Sequence, residues 1–97
     1  MRIITTRVIS RFLEKHTDAA AELHTWIYDV EHAQWKSTSD IKARYRSADF
    51  LADNRVVFNI KDNHYRLIVK IHYNTGHVFI RFLGTHAEYA RINAETI

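Results

Sequence analysis

Arg66, Lys70, Arg81, His86 and Tyr89 are the residues of this chain best suited to chemistry on an anion. A guanidinium donates two parallel hydrogen bonds to a phosphate or carboxylate. Lys70 adds a compact positive charge, and serves as a base where its pKa is depressed. His86 carries an imidazole, which both takes and gives a proton near neutral pH. Tyr89 follows His86 at i+3, so the two are neighbours if that turn is helical. Arg55, Lys61, His64 and His72 flank this group as weaker candidates for anion contacts. Each residue also has a plainer reading. The three cations suit a solvated sheet face, His86 suits a ring bonded to backbone, and Tyr89 suits the edge of a core.

The alternation of residue types places these side chains. Val56, Phe58 and Ile60 alternate with Arg55, Val57, Asn59 and Lys61. Tyr65, Leu67, Val69, Ile71 and Tyr73 alternate with His64, Arg66, Ile68, Lys70 and His72. Val78, Ile80 and Phe82 alternate with Phe79, Arg81 and Leu83. A period of two predicts three strands. Lys61-Asp62-Asn63-His64 and Asn74-Thr75-Gly76 supply turns, with Gly76 suited to positive φ. The strands then pair antiparallel. One face carries Phe58, Leu67, Val69, Ile80 and Phe82. The other carries Arg55, Asn59, Lys61, Arg66, Lys70, His72 and Arg81, a basic surface on a twisted sheet.

The first half has a helical period. Arg2-Ile3-Ile4 reads as a short strand, after which Thr5 or Thr6 caps a first helix. Val8/Ile9 and Phe12/Leu13 recur at i, i+4. His16-Thr17-Asp18 breaks the pattern, and a second helix runs to about Gln34 with Ala20, Leu23, Trp26, Ile27, Val30 and Ala33 on its buried stripe. Trp35 fits either a core or an exposed site. Ser37-Thr38-Ser39-Asp40 offers a capping box for a third helix to about Tyr45. Residues 46–53 read as an irregular connection, and His86–Arg91 as a last helical turn. The fold class expected is α+β: N-terminal helices on one face of a small, twisted, mainly antiparallel sheet. Residues 1–97 form one domain.

The totals agree with such a domain. Of 97 residues, 46% are hydrophobic, enough for a modest core. The lack of cysteine excludes disulfides and thiolate metal sites, which suits the cytoplasm. No apolar run reaches the ~20 residues of a membrane span, and no signal peptide opens the chain. The net charge of +3 is unevenly placed. Residues 1–53 hold eight Lys/Arg against eight Asp/Glu; residues 54–97 hold six against three. The excess lies where the strands are expected, and positive charge there attracts phosphate. The seven histidines show no metal-ligand spacing, so neither a metal nor another cofactor is expected.

The second half resembles a known pattern. The segment Asn59-Ile60-Lys61-Asp62-Asn63-His64-Tyr65-Arg66-Leu67-Ile68-Val69-Lys70-Ile71 is similar to the central hairpin of the HigB family of toxins. Phe79-Ile80-Arg81-Phe82-Leu83-Gly84 and Thr85-His86-Ala87-Glu88-Tyr89 are similar to its closing strand and the segment after it. Ser47-Ala48-Asp49-Phe50-Leu51 and Val57-Phe58-Asn59-Ile60 also resemble that family. Ala90 departs from the pattern, which has an acidic residue after the tyrosine. The resemblance implies a RelE-like fold and a toxin of a type II toxin–antitoxin system. It implies an endoribonuclease that cuts mRNA on the ribosome. It also implies a HigA-like helix-turn-helix antitoxin, with operator DNA reached only through that partner, and no membrane.

RNA is cut by its own 2′-hydroxyl when three needs are met. The 2′-proton must leave, the extra charge on phosphorus must be stabilised, and the leaving oxygen must gain a proton. With the resemblance, Arg66 and Arg81 take transition-state charge, Lys70 adds charge or acts as base, His86 moves protons, and Tyr89 orients RNA or stacks on a base. Arg55, Lys61, His64 and His72 become RNA-binding candidates. Lys42, Arg44 and Arg46 suit either ribosomal RNA or a solvated helix face. Two other functions compete: an RNA-binding module without catalysis, and a protein-interaction domain whose charges only maintain solubility.

Overall fold

The computed structural model describes all 97 residues. In chain order the elements are β1 (Arg2–Ile4), α1 (Arg7–Lys15), a 3₁₀ turn (Thr17–Ala19), α2 (Ala20–His32), α3 (Thr38–Arg44), β2 (Asp49–Leu51), β3 (Arg55–Ile60), β4 (Tyr65–His72), β5 (His77–Thr85) and α4 (His86–Tyr89). The sheet order is β1-β5-β4-β3-β2. All pairs are antiparallel except β1 with β5. This is an α+β fold consistent with a RelE-like architecture.

The helices bury most of the stripes their spacing predicts, but Val8 of the expected face of α1 is exposed. Ile9 in α1 and Leu23, Trp26 and Val30 in α2 are buried against the sheet. They meet Val56, Phe58, Ile60, Leu67, Val69, Ile71 and Val78 in one cluster. Trp35 joins it, with its ring 6.3 Å from that of Phe58. The start of α1 uses one of the two threonines expected, and the other helix ends differ from expectation. Thr5 rather than Thr6 supplies the hydroxyl at the start of α1, accepting from the Arg7 N–H at 3.3 Å. Ser37 makes no side-chain cap; Asp40 instead accepts from the Lys36 N–H at 2.8 Å. The second helix begins with the 3₁₀ turn and stops at His32, because Ala33 is extended.

Residues 46–53 are not wholly irregular, since β2 pairs with β3. Three residues are too few to show an alternation, so the strand has no local signature. Its turn into β3 places Asp53 and Asn54 at φ 61° and 59°, a conformation that Asp and Asn tolerate. Lys61, Asp62 and Asn63 also have positive φ. Lys61 therefore sits in the turn beyond β3 and not on the sheet face expected for it.

One expectation about the faces fails at Phe82. Ile68 pairs with Phe82, but Val69 pairs with Ile80, so Arg81 is an extra residue in β5. Such a bulge breaks the period of two. Ile80 and Leu83 both pack on the main cluster, while Phe82 crosses to the face of Arg66, Ile68 and Lys70. That face is not uniformly basic either. Val57 and Ile68 lie at its centre and are buried. The chain after α4 returns to this face, where the Ile97 carbonyl meets Arg55 and Arg81.

Candidate active site

The first cluster lies mid-sheet. Arg55 is opposite Lys70 across β3 and β4. Its Nε and Nη2 donate to the Ile97 carbonyl oxygen at 3.1 and 3.0 Å, and Arg81 Nε donates to the same oxygen at 3.3 Å. Two guanidinium groups thus converge on one oxygen acceptor. Arg55 is buried, although its type suggests an exposed side chain. Asp53 explains how: its Oδ2 accepts from Lys70 Nζ at 2.9 Å and from Arg55 Nη1 at 3.2 Å. His72 lines the same shallow cleft as Asp53 and Lys70 and packs on Phe79, ring centres 4.9 Å apart.

Asp53 was not legible as a site residue, because its partners lie on other strands. The hydrogen bond and charge of Lys70, with help from Arg55, hold its carboxyl below the ordinary range. The folded state therefore favours the charged form. That stabilisation is complete above the unfolded pKa of about 3.9 and is lost as pH falls through the lower folded value. Urea midpoints for the native chain and Asp53→Asn should differ near neutrality and converge on acidification. A gap independent of pH would show that the ion pair contributes nothing.

The second cluster lies at the end of the sheet. Arg66 pairs with Gly84, two residues before His86. Its Nη1 donates to the Asn63 carbonyl at 2.9 Å, and its guanidinium carbon lies 5.6 Å from the centre of the Tyr89 ring. Asn63 forms part of the wall of an open cleft of about 480 Å³, which His16, His64 and His86 also line. His16 comes from the break after α1, where its ring stacks on Phe12 at 4.4 Å. Its sequence neighbours mark it only as a helix break, and no local signal makes it part of a site. His64 bonds the Lys61 carbonyl through Nδ1 at 2.6 Å. No three His, Asp or Glu side chains gather as a metal-holding group.

A capping box sets the angle at which His86 and Tyr89 leave β5. Thr85 Oγ1 accepts from the Glu88 N–H at 3.1 Å, and Glu88 Oε1 accepts from the Thr85 N–H at 2.8 Å. The backbone donor at Thr85 keeps the Glu88 carboxyl below its usual range. Thr85→Ala should lower stability by about 1 kcal/mol, read from urea unfolding. An unchanged midpoint would mean that α4 holds without its cap.

The candidates thus form two groups. Arg81 and His86 are five positions apart, or about 16 Å along an extended strand. Arg55, Lys70 and Arg81 form one group, Arg66, His86 and Tyr89 the other, with His64 in the cleft beside His86. The basic run in α3 is partly engaged within the chain: Arg44 pairs with Asp29 at 2.7 Å, and Lys42 donates to the Ala48 carbonyl at 3.0 Å.

The model for HigB_toxin, the RelE-like toxic component of a toxin–antitoxin system, matches residues 19–92. The chain belongs to the HigB toxin family. The match takes in Arg55, Arg66, Lys70, Arg81, His86 and Tyr89. It leaves out β1, α1, His16 and the turn around Asn93 that carries Ile97. The mRNA interferase toxin HigB of Escherichia coli (strain K12) is 26% identical over 91 residues, covering 92% of this chain and 88% of that protein. The mRNA interferases HigB of Escherichia coli O157:H7 and Shigella flexneri match to the same extent. No helix of this HigB-family chain is long and apolar enough to cross a membrane.

Proposed function

We propose that this chain is an mRNA-cleaving toxin, an endoribonuclease that uses the 2′-hydroxyl of its substrate as nucleophile and needs no metal. The observation that carries this reading is the seating of Arg66. Its guanidinium donates to the carbonyl of Asn63, a residue that also lines the cleft of His86, and lies 5.6 Å from the centre of the Tyr89 ring. A phosphodiester at the edge of that cleft meets a cation and an imidazole together. The 2′-hydroxyl loses its proton to a solvent water, its oxygen attacks phosphorus, the P–O5′ bond breaks, and a 2′,3′-cyclic phosphate and a 5′-hydroxyl result. Arg66 stabilises the charge that builds on the phosphoryl oxygens. His86 supplies a proton to the departing oxygen. Arg55, Lys70 and Arg81 hold the neighbouring phosphate, whose oxygen replaces the Ile97 carbonyl. His64 and His72 border the RNA path at either end, and Lys61 adds charge from its turn.

The relatives named as mRNA interferases support mRNA as substrate. In keeping with the family, the reading places the reaction on the ribosome in the cytoplasm and makes a HigA-like helix-turn-helix antitoxin the neutralising partner. Brief induction followed by mapping of mRNA 5′ ends tests it. New ends bearing 5′-hydroxyls are expected within reading frames. Ends bearing 5′-phosphates would overturn attack by the 2′-oxygen, and the absence of new ends would overturn the function.

A further inference from the structure

We infer that Phe82 is a stacking platform for a nucleobase of single-stranded RNA, placed on the substrate face by the Arg81 bulge. The inference rests on the reading of RNA as substrate and adds a subsite to it. Without the extra residue, Phe82 would share the inner face with Ile80. With it, a half-buried phenyl ring stands among Arg66, Ile68 and Lys70.

Two further observations show that the ring has a built seat. A Cβ on Gly84 would lie 2.6 Å from Phe82 Cζ and 3.0 Å from Glu88 Oε1, so the ring rests over Gly84 and a side chain there would displace it. Tyr89, also half-buried, stands across from it with ring centres 6.5 Å apart and planes at 53°. The two rings do not stack on each other. A base that stacks on Phe82 therefore meets Tyr89 at a tilt and not face to face. Arg66 against Tyr89 and the Arg55–Lys70–Arg81 group lie on either side of Phe82 along the sheet. A base between two cationic groups is the arrangement that single-stranded nucleic acid requires, with phosphates on cations and bases on aromatic faces.

The test separates bases from phosphates. Two 2′-O-methyl oligoribonucleotides, which cannot cut themselves, are titrated against the protein by fluorescence anisotropy. One carries its bases and the other is abasic with the same sugar–phosphate chain. Phe82→Leu should weaken binding of the first about ten-fold, the loss expected for one stack, and leave the second unchanged. Phe82→Tyr should restore the affinity. Gly84→Ala, which keeps Phe82 but drives its ring off the seat, should weaken the same oligomer. Equal effects of Phe82→Leu on both oligomers, or none on either, would overturn the platform while leaving the RNA reading intact. Native protein that binds neither oligomer would also overturn the platform, while the function itself stands or falls on the mapped mRNA 5′ ends.

Discussion

Arg66→Ala should lower the rate of mRNA cutting by about 100- to 1,000-fold, the loss typical of removing one preorganised donor from a transition state. The side chain holds its place through the Asn63 carbonyl and the Tyr89 ring, so its charge is positioned before substrate arrives. Arg66→Lys should recover little, because an ammonium lacks the planar fork that binds two phosphoryl oxygens. Arg81→Ala is the informative contrast. Arg81 shares its acceptor with the more deeply buried Arg55, which keeps two hydrogen bonds of its own to that oxygen. Losing Arg81 should therefore weaken RNA retention about ten-fold, the scale of one charge-assisted hydrogen bond, with little change in the chemical step. Single-turnover cutting in a purified translation reaction separates the two. An Arg81→Ala variant slower in the chemical step than Arg66→Ala would move the scissile phosphate to the mid-sheet group.

The same contrast shows which features local sequence can carry. Strands β3 and β4, the turn at Gly76 and the stripe of α2 follow from repeating polarity, a property of neighbouring residues. The bulge does not. Its evidence is the pairing of Val69 with Ile80 and Ile68 with Phe82, which exists only when two strands are aligned. An alternation read along β5 alone therefore sends Phe82 to the wrong face and gives no reason for Gly84. Asp53 is hidden for a related cause: a carboxylate in a turn looks like turn chemistry until Lys70 and Arg55 arrive from β4 and β3. The placement of Arg55 on the face of Lys70 was legible. Its burial was not, because its cover is the Ile97 carbonyl, 42 positions away. His16 entered the cleft by the same kind of long-range packing. In the turn after β5, spacing alone makes His86 and Tyr89 neighbours, whereas the Thr85–Glu88 capping box that orients them has no counterpart in the sequence reading.

That turn also decides what His86 does. If its ring held α4 in place, removing it would unfold the turn, and lost activity would say nothing about proton transfer. The structure gives that task to other groups. Thr85 and Glu88 close the capping box, and the bond from residue 86 to the His64 carbonyl is made by the main-chain N–H at 3.0 Å, which any residue but proline supplies. His86→Ala should therefore keep the urea midpoint and RNA binding and still lower cutting by about 100- to 10,000-fold, the range for removal of a positioned acid or base. His64→Ala and His16→Ala line the same cleft and serve as controls. His64 is tied to Lys61 and His16 to Phe12, so neither is as free to reach a leaving oxygen, and each should cost less than His86. Retained binding with lost cutting distinguishes an enzyme from a module that only holds RNA. Cutting that survives in His86→Ala at the native rate would remove the imidazole from the mechanism and leave Arg66 and Tyr89 to act with a proton carrier from elsewhere.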